Sequence, residues 1–430
     1  MPHKIFAPHA RRIAVIGGGI SGMAAAHMLA PDNAVVLYEA SSRLGGHAHT
    51  VLAGKRGDQP VDMGFIVFNR VNYPRLTALF DRLGVSVVAS DMSFGCSIQG
   101  GTLEYGLRNL DSLFAQRRNL VNPTYLRMLA DILRFHRSAD RVLQPGMTLG
   151  DLLSALRMSD AFRDHYIAPF TGAIWSTPTS GILNFPAAAL ITFFKNHGLM
   201  GVFRHHQWYT VQGGSIEYVR RLQADLQRHA VDIRTRTPIA GVRRLPQGAM
   251  VRAAGGEWET FDEVIFATHS DDTLRLLSDA TQAEKANLSA IRYQPNEAIL
   301  HADATQMPRS RRAWASWNYA EPAGPRPDRI DLTYWMNSLQ PIPQDDPLFV
   351  TLNPNRPIRQ DLIHATQTFR HPVFDQGALD AQTRLAALNG QSSTWFCGAW
   401  MKNGFHEDGF ASAEDVATAL RNRALLQEAA

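Results

Sequence analysis

Arg12-Ile13-Ala14-Val15-Ile16-Gly17-Gly18-Gly19-Ile20-Ser21-Gly22, followed by Glu39-Ala40-Ser41-Ser42-Arg43-Leu44-Gly45-Gly46-His47, decides the fold of this 430-residue chain. The run Arg12 to Ile16 reads as a buried parallel strand and Ile20 to Leu29 as a helix, so the first glycines occupy a strand-to-helix turn. Gly17 permits the tight turn, Gly19 lets the backbone approach a pyrophosphate, and Gly22 lets the helix pack on the strand. The helix N-terminus adds NH donors and the positive end of its dipole. A second apolar run, Ala34 to Tyr38, ends in Glu39, where a carboxylate accepts both ribose hydroxyls and disfavours a 2′-phosphate. NAD satisfies this half equally well. The second, basic, glycine-opened turn is what a longer two-phosphate cofactor needs beyond its ribose, and it points to FAD. The expected contacts are Gly17, Gly19, Ile20, Ser21 and Gly22, then Glu39, Ala40, Ser41, Arg43, Leu44, Gly45, Gly46 and His47.

Beyond these turns the chain resembles the flavin amine oxidase superfamily, which includes phytoene desaturases and protoporphyrinogen oxidase. Glu39 to Thr50 is similar to the family's E-A-x-x-R-x-G-G-R-x-x-T, and Val61-Asp62-Met63-Gly64-Phe65 to its V-D-x-G turn beside the flavin. The family's usual arginine after the paired glycines is His47 here, which makes the charge at that contact depend on pH. Gln212-Gly213-Gly214-Ser215 opens a helix. Val231 to Ile239 resembles the strand whose main chain holds the adenine, and Phe261 to Thr268 returns a strand to the dinucleotide fold. Thr394 to Trp400 and Gly404 to Ala413 resemble its last strand and helix. A helix start facing the flavin N1/O2 edge would stabilise the negative charge of a reduced ring. The resemblance therefore adds Met63, Gly64, Phe65, Ile239, Ala267, Gly398, Glu407, Asp408, Gly409 and Phe410 to the cofactor-binding set.

The resemblance narrows to bacterial flavoproteins encoded beside cyclopropane-fatty-acid-synthase-like methyltransferases. Asp62 to Asn69, Phe193 to Gly198, Ala313 to Tyr319, Met336 to Gln340 and Gly404 to Gly409 carry it. It implies an oxidoreductase acting on a lipid-like, unsaturated or modified acyl substrate, with a functional link to such a methyltransferase. Two other readings stay open: an amine or polyamine oxidase, and a non-catalytic flavin-binding partner of a lipid methyltransferase.

The length suits two domains, and 45% hydrophobic with 19% charged residues is enough to bury both. Forty-three basic against 39 acidic residues give a net charge of +4, too small an excess for a nucleic-acid-binding surface. Cys96 and Cys397 lack C-x-x-C spacing, which excludes a disulfide framework and a cysteine metal site and fits a reducing, cytoplasmic setting. No stretch reaches the roughly 20 apolar residues of a spanning helix, so any membrane contact is expected to be peripheral, at the inner face.

The expected fold class is α/β. A Rossmann-like FAD-binding domain with a parallel sheet is assembled from residues 1–75, 205–275 and 388–430. An α+β substrate domain with a mixed or antiparallel sheet takes residues 76–204 and 276–387. Within the latter, Tyr73-Pro74 to Leu83 reads as a helix and Val85 to Glu104 as a hairpin turning at Gly100-Gly101. Asn122-Pro123 starts a helix running to about Val142, and alternation over Tyr293 to Leu352 predicts strands.

For chemistry, flavin enzymes mainly position substrate and tune the ring. Trp400 and Phe405 are the candidate substrate-pocket aromatics and His406 the candidate catalytic acid/base. Attachment of flavin through His47, His49 or Cys397 is conceivable, but noncovalent FAD is expected, with no metal. Lys195 and His197 either flank a long-chain entrance between the apolar runs Phe185–Ile191 and Leu199–Phe203 or end a helix. Arg127, Arg134, Arg137 and Arg141 form a basic stripe that, with Arg117 and Arg118, either rests on anionic phospholipid or is a solvated face.

Overall fold

The computed structural model describes residues 10–175, 179–197 and 206–428. Arg12–Ile16 is the middle strand of a five-stranded, all-parallel sheet. Its order runs Asp232–Arg234, Ala34–Tyr38, Arg12–Ile16, Glu263–Phe266, Thr394–Phe396. The central strands are apolar on both faces because both faces are covered. Ile13, Val15, Val35 and Leu37 pack under the helices Ile20–Leu29, Pro74–Leu83, Ile216–Arg228 and His406–Glu428. Ala14, Ile16, Val36 and Tyr38 face the opposite side. There they meet the antiparallel strands Ile239–Arg244, Ala249–Ala253 and Trp258–Phe261 and the helices Ser270–Leu276, Gln282–Ala290 and Gln376–Leu388.

A second, seven-stranded sheet follows the order Ile363–Val373, Arg292–His301, Phe349–Leu352, Asp331–Trp335, Trp317–Ala320, Phe94–Ile98, Leu103–Gly106. It is mixed: Trp317–Ala320 and Phe94–Ile98 run parallel, the other pairs antiparallel. The helices Pro123–Val142, Leu149–Ala155, Ala168–Trp175 and Ala187–Asn196 share one apolar core with it. The Asn122 carboxamide caps the first of these by accepting from the Thr124 and Tyr125 N–H groups, at 3.1 and 3.3 Å.

The structure corrects two readings. The hairpin is shorter than Val85 to Glu104: Phe94–Ile98 turns through Gly100-Gly101 into Leu103–Gly106. Val87–Ser90 instead pairs with Trp208–Val211, because its partner is supplied by a distant segment. The edge strand Ile363–Val373 was not anticipated, since its residues are largely polar. Pro372 is tolerated because the strand has an unpaired side.

Buried Asp62 ties the two sheets' surroundings together. Its carboxylate accepts from the Ser215 N–H at 2.9 Å, the Ser215 hydroxyl at 2.7 Å, the Thr50 hydroxyl at 2.5 Å and the Gln340 amide at 3.0 Å. It thereby serves the start of helix Ile216–Arg228 and a residue following strand Asp331–Trp335.

Asp331 contrasts with it. This carboxyl, 1% exposed, accepts from the Asn355 N–H at 2.9 Å through Oδ2, while Oδ1 has no hydrogen-bond partner among the described residues. Burial pushes its pKa up to about 7, against the opposing Asn355 N–H and Arg356 charge. The native state keeps the proton where the unfolded chain has released it, so this contribution is full below about pH 4 and is lost as pH rises through 7. Asp331→Asn is therefore expected to stabilise the protein by ~2 to 3 kcal/mol more near pH 8 than near pH 5, read by chemical denaturation at both pH values. Equal effects at the two would contradict it.

Candidate functional site

The two glycine turns touch. The Gly45 N–H donates to the Gly18 carbonyl at 2.8 Å. Gly46 stands so close to Gly19 that an added Cβ would lie 3.1 Å from the Gly19 Cα. The glycines of the first turn differ in role. Gly17 has φ +110° and its Cβ would strike the Ala267 carbonyl at 2.7 Å, while a Cβ on Gly22 would lie 1.8 Å from the Gly17 carbonyl. Gly19, with φ −74°, could hold any residue, yet a Cβ there would meet no atom closer than 4.0 Å. Gly17 and Gly22 thus close the turn, and Gly19 leaves a cradle open to the cavity.

Glu39 is pre-set beside that cradle. One carboxylate oxygen accepts from the Gly18 N–H at 2.7 Å and the other from the Ser41 N–H at 2.7 Å and from the Ser41 hydroxyl. Arg43 wraps its own loop, donating to the Ala48 and Gly46 carbonyls at 3.0 Å each, and so braces the second turn. The Thr237 N–H bonds to the Glu39 carbonyl at 2.9 Å, which brings Thr237, Pro238 and Ile239 to the cavity beside Glu39.

Further along, Phe65 and Met63 N–H groups donate to the His47 and His49 carbonyls at 2.9 and 2.8 Å. A Cβ on Gly64 would lie 2.0 Å from the His47 carbonyl. His47 is ringed by Phe369, His371 and His269, with ring centroids 5.1, 5.6 and 5.9 Å away. Burial, helped by the Arg43 and Arg370 charges, pushes His47 down to about 4, so it is neutral and does not replace the arginine of the resembled motif. Burial pushes His269 and His371 to about 3. Their tautomers are set by donors: the Asn296 amide donates to His371 Nδ1 at 3.1 Å, and Arg370 to His269 Nδ1 at 2.8 Å. Each therefore carries its proton on Nε2. His269, Asp271 and Asp272 lie close enough to hold a cation, but the Arg370 guanidinium already bonds all three.

His406 also lines the cavity. Its ring stacks on Phe65 with centroids 4.0 Å apart, and its Nε2 is 2.6 Å from the Tyr218 hydroxyl. Burial pushes it down to about 3, so near neutral pH it is an uncharged wall group whose Nε2 is engaged by Tyr218. Trp400 is 2% exposed and donates from Nε1 to the Thr268 carbonyl at 2.9 Å, a buried wall. Phe405 faces the aromatic group of Phe193, His197 and Trp175, stacking on Phe193 at 5.1 Å.

Of the remaining expected contacts, Gly17, Gly19, Ile20, Ser21, Glu39, Ala40, Ser41, Arg43, Gly45, Gly46, His47, Met63, Gly64, Phe65, Ile239, Ala267 and Gly398 line the cavity. Six do not. Gly22 is a packing position, and Leu44, 3% exposed, belongs to the core. Glu407 turns away to accept from the Arg75 and Leu76 N–H groups at 3.1 and 3.0 Å, capping helix Pro74–Leu83. Asp408 caps its own helix through the Phe405 N–H at 2.9 Å. Gly409 packs on Ile20 and Ser21, and Phe410 is in the core. Lys195 and His197 part company: Lys195 pairs with Asp140 at the surface, and His197 joins the cavity wall. Leu199–Phe203 lies outside the described residues.

The cavity occupies about 1890 Å³, roughly twice the upper range of a pocket for one small ligand. It continues past Phe65 and Phe405 into an arm walled by Phe94, Leu113, Leu129, Ile132, Tyr166, Phe170 and Ala173. Neither the arm nor Phe369, Arg370 and His371 was read from sequence. The available signal was the two-residue spacing of Phe369 and His371, which puts both on one face of a strand. The open Gly19 cradle, the preset Glu39 and the brace at Arg43 fit an ADP-containing dinucleotide, and the cavity beyond Gly64 has room for its ring and a second molecule.

Residues 20–302 match the model of the family described as flavin containing amine oxidoreductase. Carotenoid phi-ring synthase from Streptomyces griseus is 26% identical over 325 residues, 67% of this chain and 59% of that protein, so the chain spans less than two thirds of its length. Among solved structures, the CLA-producing fatty acid isomerase from P. acnes superposes with a TM-score of 0.67 at 17% identity, over 96% of this chain and 99% of that one. Cyclohexylamine oxidase from Brevibacterium oxydans IH-35A gives 0.69 at 14%, over 96% and 99%. At such identities the superpositions show a shared fold.

Two variants separate the glycine roles. Gly19→Leu is expected to fold with the thermal stability of the flavin-stripped parent yet purify colourless, and Gly22→Ala to lose ~2 kcal/mol or more of stability. Flavin absorbance and thermal melts read both, and a yellow Gly19→Leu protein would refute the cradle. His406→Gln is expected to retain flavin and slow its reduction by substrate by less than about tenfold, whereas a loss on the order of a thousandfold would restore a proton-transfer role.

Proposed function

We propose that this chain, which belongs to the flavin containing amine oxidoreductase family and is an FAD-dependent oxidoreductase, acts on a long, lipid-like chain whose apolar portion occupies the arm of its cavity. The observation that carries the reading is the arm itself: hydrocarbon and aromatic side chains line it from Phe405 outward to Leu129 and Leu113. Such a lining gains free energy by taking an apolar chain out of water, at roughly 25 cal/mol per Å². Gly19, Glu39, Arg43 and Gly46 would hold the FAD, and its ring supplies a hydride acceptor.

The chain's own residues do the rest. Phe65, Phe405 and Trp400 wall the junction between the two parts of the cavity and exclude water, and Phe193, Trp175 and His197 enclose the start of the arm. His47, His269, His371 and His406 are neutral near pH 7, so this part of the cavity presents NH dipoles with little histidine charge beside an apolar substrate. The names of two similar proteins, a carotenoid phi-ring synthase and a fatty acid isomerase, agree with a long hydrocarbon substrate.

An amine substrate is the second reading, favoured by the cavity-lining carboxylate of Asp91. Its Oδ2 already accepts from the hydroxyls of Ser93, Ser316 and Ser338, at 2.7, 3.1 and 3.2 Å, which lowers its hold on an ammonium group.

Anaerobic mixing of the holoenzyme with long-chain unsaturated or methylated fatty acyl lipids is expected to bleach the flavin absorbance, and a panel of mono-, di- and polyamines to leave it unchanged. Bleaching by amines alone would reverse the choice. Ala173→Phe, which narrows the arm, is expected to raise KM for a long-chain lipid about tenfold with an unaltered flavin spectrum. An unchanged KM would place the chain elsewhere.

A further inference from the structure

The outer end of the arm opens among side chains that a water-facing surface does not need. Leu110, Leu120, Val121, Leu126 and Leu133 are 75, 52, 82, 41 and 39% exposed. They make up half of the large apolar residues found exposed among the described residues, gathered into one short stretch of chain. Scattered exposed leucines carry no meaning, whereas a concentration at one place marks a contact surface. The stretch comprises the short helix Leu110–Leu113, the turn Arg117–Val121 and the first half of helix Pro123–Val142.

Leu110 and Leu133 belong both to this surface and to the cavity wall, and Leu113, Phe114, Leu129 and Ile132 continue inward from them. A hydrocarbon chain passing between them would meet a mostly apolar wall, with Arg108, Asn109 and His136 beside it. Between residues 107 and 130 the exposed charges are Arg108, Arg117, Arg118 and Arg127 against Asp111, which pairs with Arg117 and leaves a net basic surface. An apolar patch set among arginines complements a surface that is anionic outside and hydrocarbon within. No described helix is long and apolar enough to cross a membrane, so the contact is one of shallow insertion.

We propose that this surface docks on the face of an anionic phospholipid bilayer, with Leu120 and Val121 entering the headgroup–acyl boundary, so that the arm's mouth opens onto lipid. The docking differs from the arginine stripe expected along the whole of helix Pro123–Val142. Arg134 is engaged by Asp131 and the Arg157 carbonyl, and Arg141 by the Arg137 carbonyl. The apolar residues with the arginines of the first half form the surface instead. Its purpose rests on the lipid-substrate reading, but its test does not require turnover.

The experiment is flotation of the FAD-loaded full chain with vesicles of phosphatidylglycerol and phosphatidylcholine in equal parts, and with phosphatidylcholine alone. The protein is expected to float with the anionic vesicles and to release as salt rises. Leu120→Gln/Val121→Gln, which touches neither cavity nor core, is expected to lower the bound fraction about tenfold or more. Arg127→Gln is expected to weaken binding to anionic vesicles only. Turnover of a detergent-dispersed substrate should be unchanged in all variants. No flotation, equal flotation of the Leu120/Val121 variant, or a dimer in light scattering that this variant abolishes would each overturn the proposal, the last by assigning the patch to a second copy. Vesicle binding without flavin reduction by any lipid would leave the docking standing and remove the substrate reading, and the converse result would do the opposite.

Discussion

The Gly45 N–H to Gly18 carbonyl hydrogen bond, 2.8 Å long, joins two turns that lie a full helix and strand apart in sequence. It is possible only because neither turn carries side chains at the point of contact, where a Cβ on Gly46 would lie 3.1 Å from the Gly19 Cα. Once the turns meet, Glu39 is pinned between them and the Gly19 face is left bare toward the cavity. The hydrogen bond therefore sets the floor of the cofactor site before any ligand arrives. In a preorganised site, binding does not have to order these loops, and less of the interaction free energy is lost to ordering.

From that floor the site is extended by contacts of the same kind. The turn at Gly64 lies against the His47 carbonyl, which brings Phe65 to the cavity and lets His406 stack on it. Asp62, in the same turn, collects donors from Thr50, Ser215 and Gln340, so the parallel sheet's helix start and the mixed sheet's neighbourhood are held by one carboxylate. Edge strand Ile363–Val373 then places Phe369, Arg370 and His371 over the second turn. The junction between cofactor region and arm is thus built from both sheets.

Electrostatics and shape agree along the cavity. Desolvation keeps the histidines of its middle uncharged, the fixed charge of Arg370 is directed to Asp271 and Asp272, and outward from Phe405 the wall becomes mostly apolar. Polar recognition is concentrated at the end where a dinucleotide belongs, and apolar burial dominates at the other.

By itself the sequence determined the dinucleotide half. Strand, glycine turn, helix and acid are local features whose backbone demands can be read from residue type, and Arg12–Ile16, Ile20–Leu29 and Ala34–Tyr38 form where periodicity and glycine spacing put them. Helix Pro123–Val142 was legible for the same reason, in its asparagine cap and first-turn proline. Only the tertiary structure decided the remainder. Glu407 and Asp408 serve as helix caps because of where neighbouring N–H groups lie, and His406 is buried beside Tyr218, neither of which a motif encodes. The apolar arm is lined by residues far apart in the chain, from Phe94 through Leu129 and Phe170 to Phe405. Their meeting follows from how helices settle on a sheet, a property of packing that no short stretch of sequence contains.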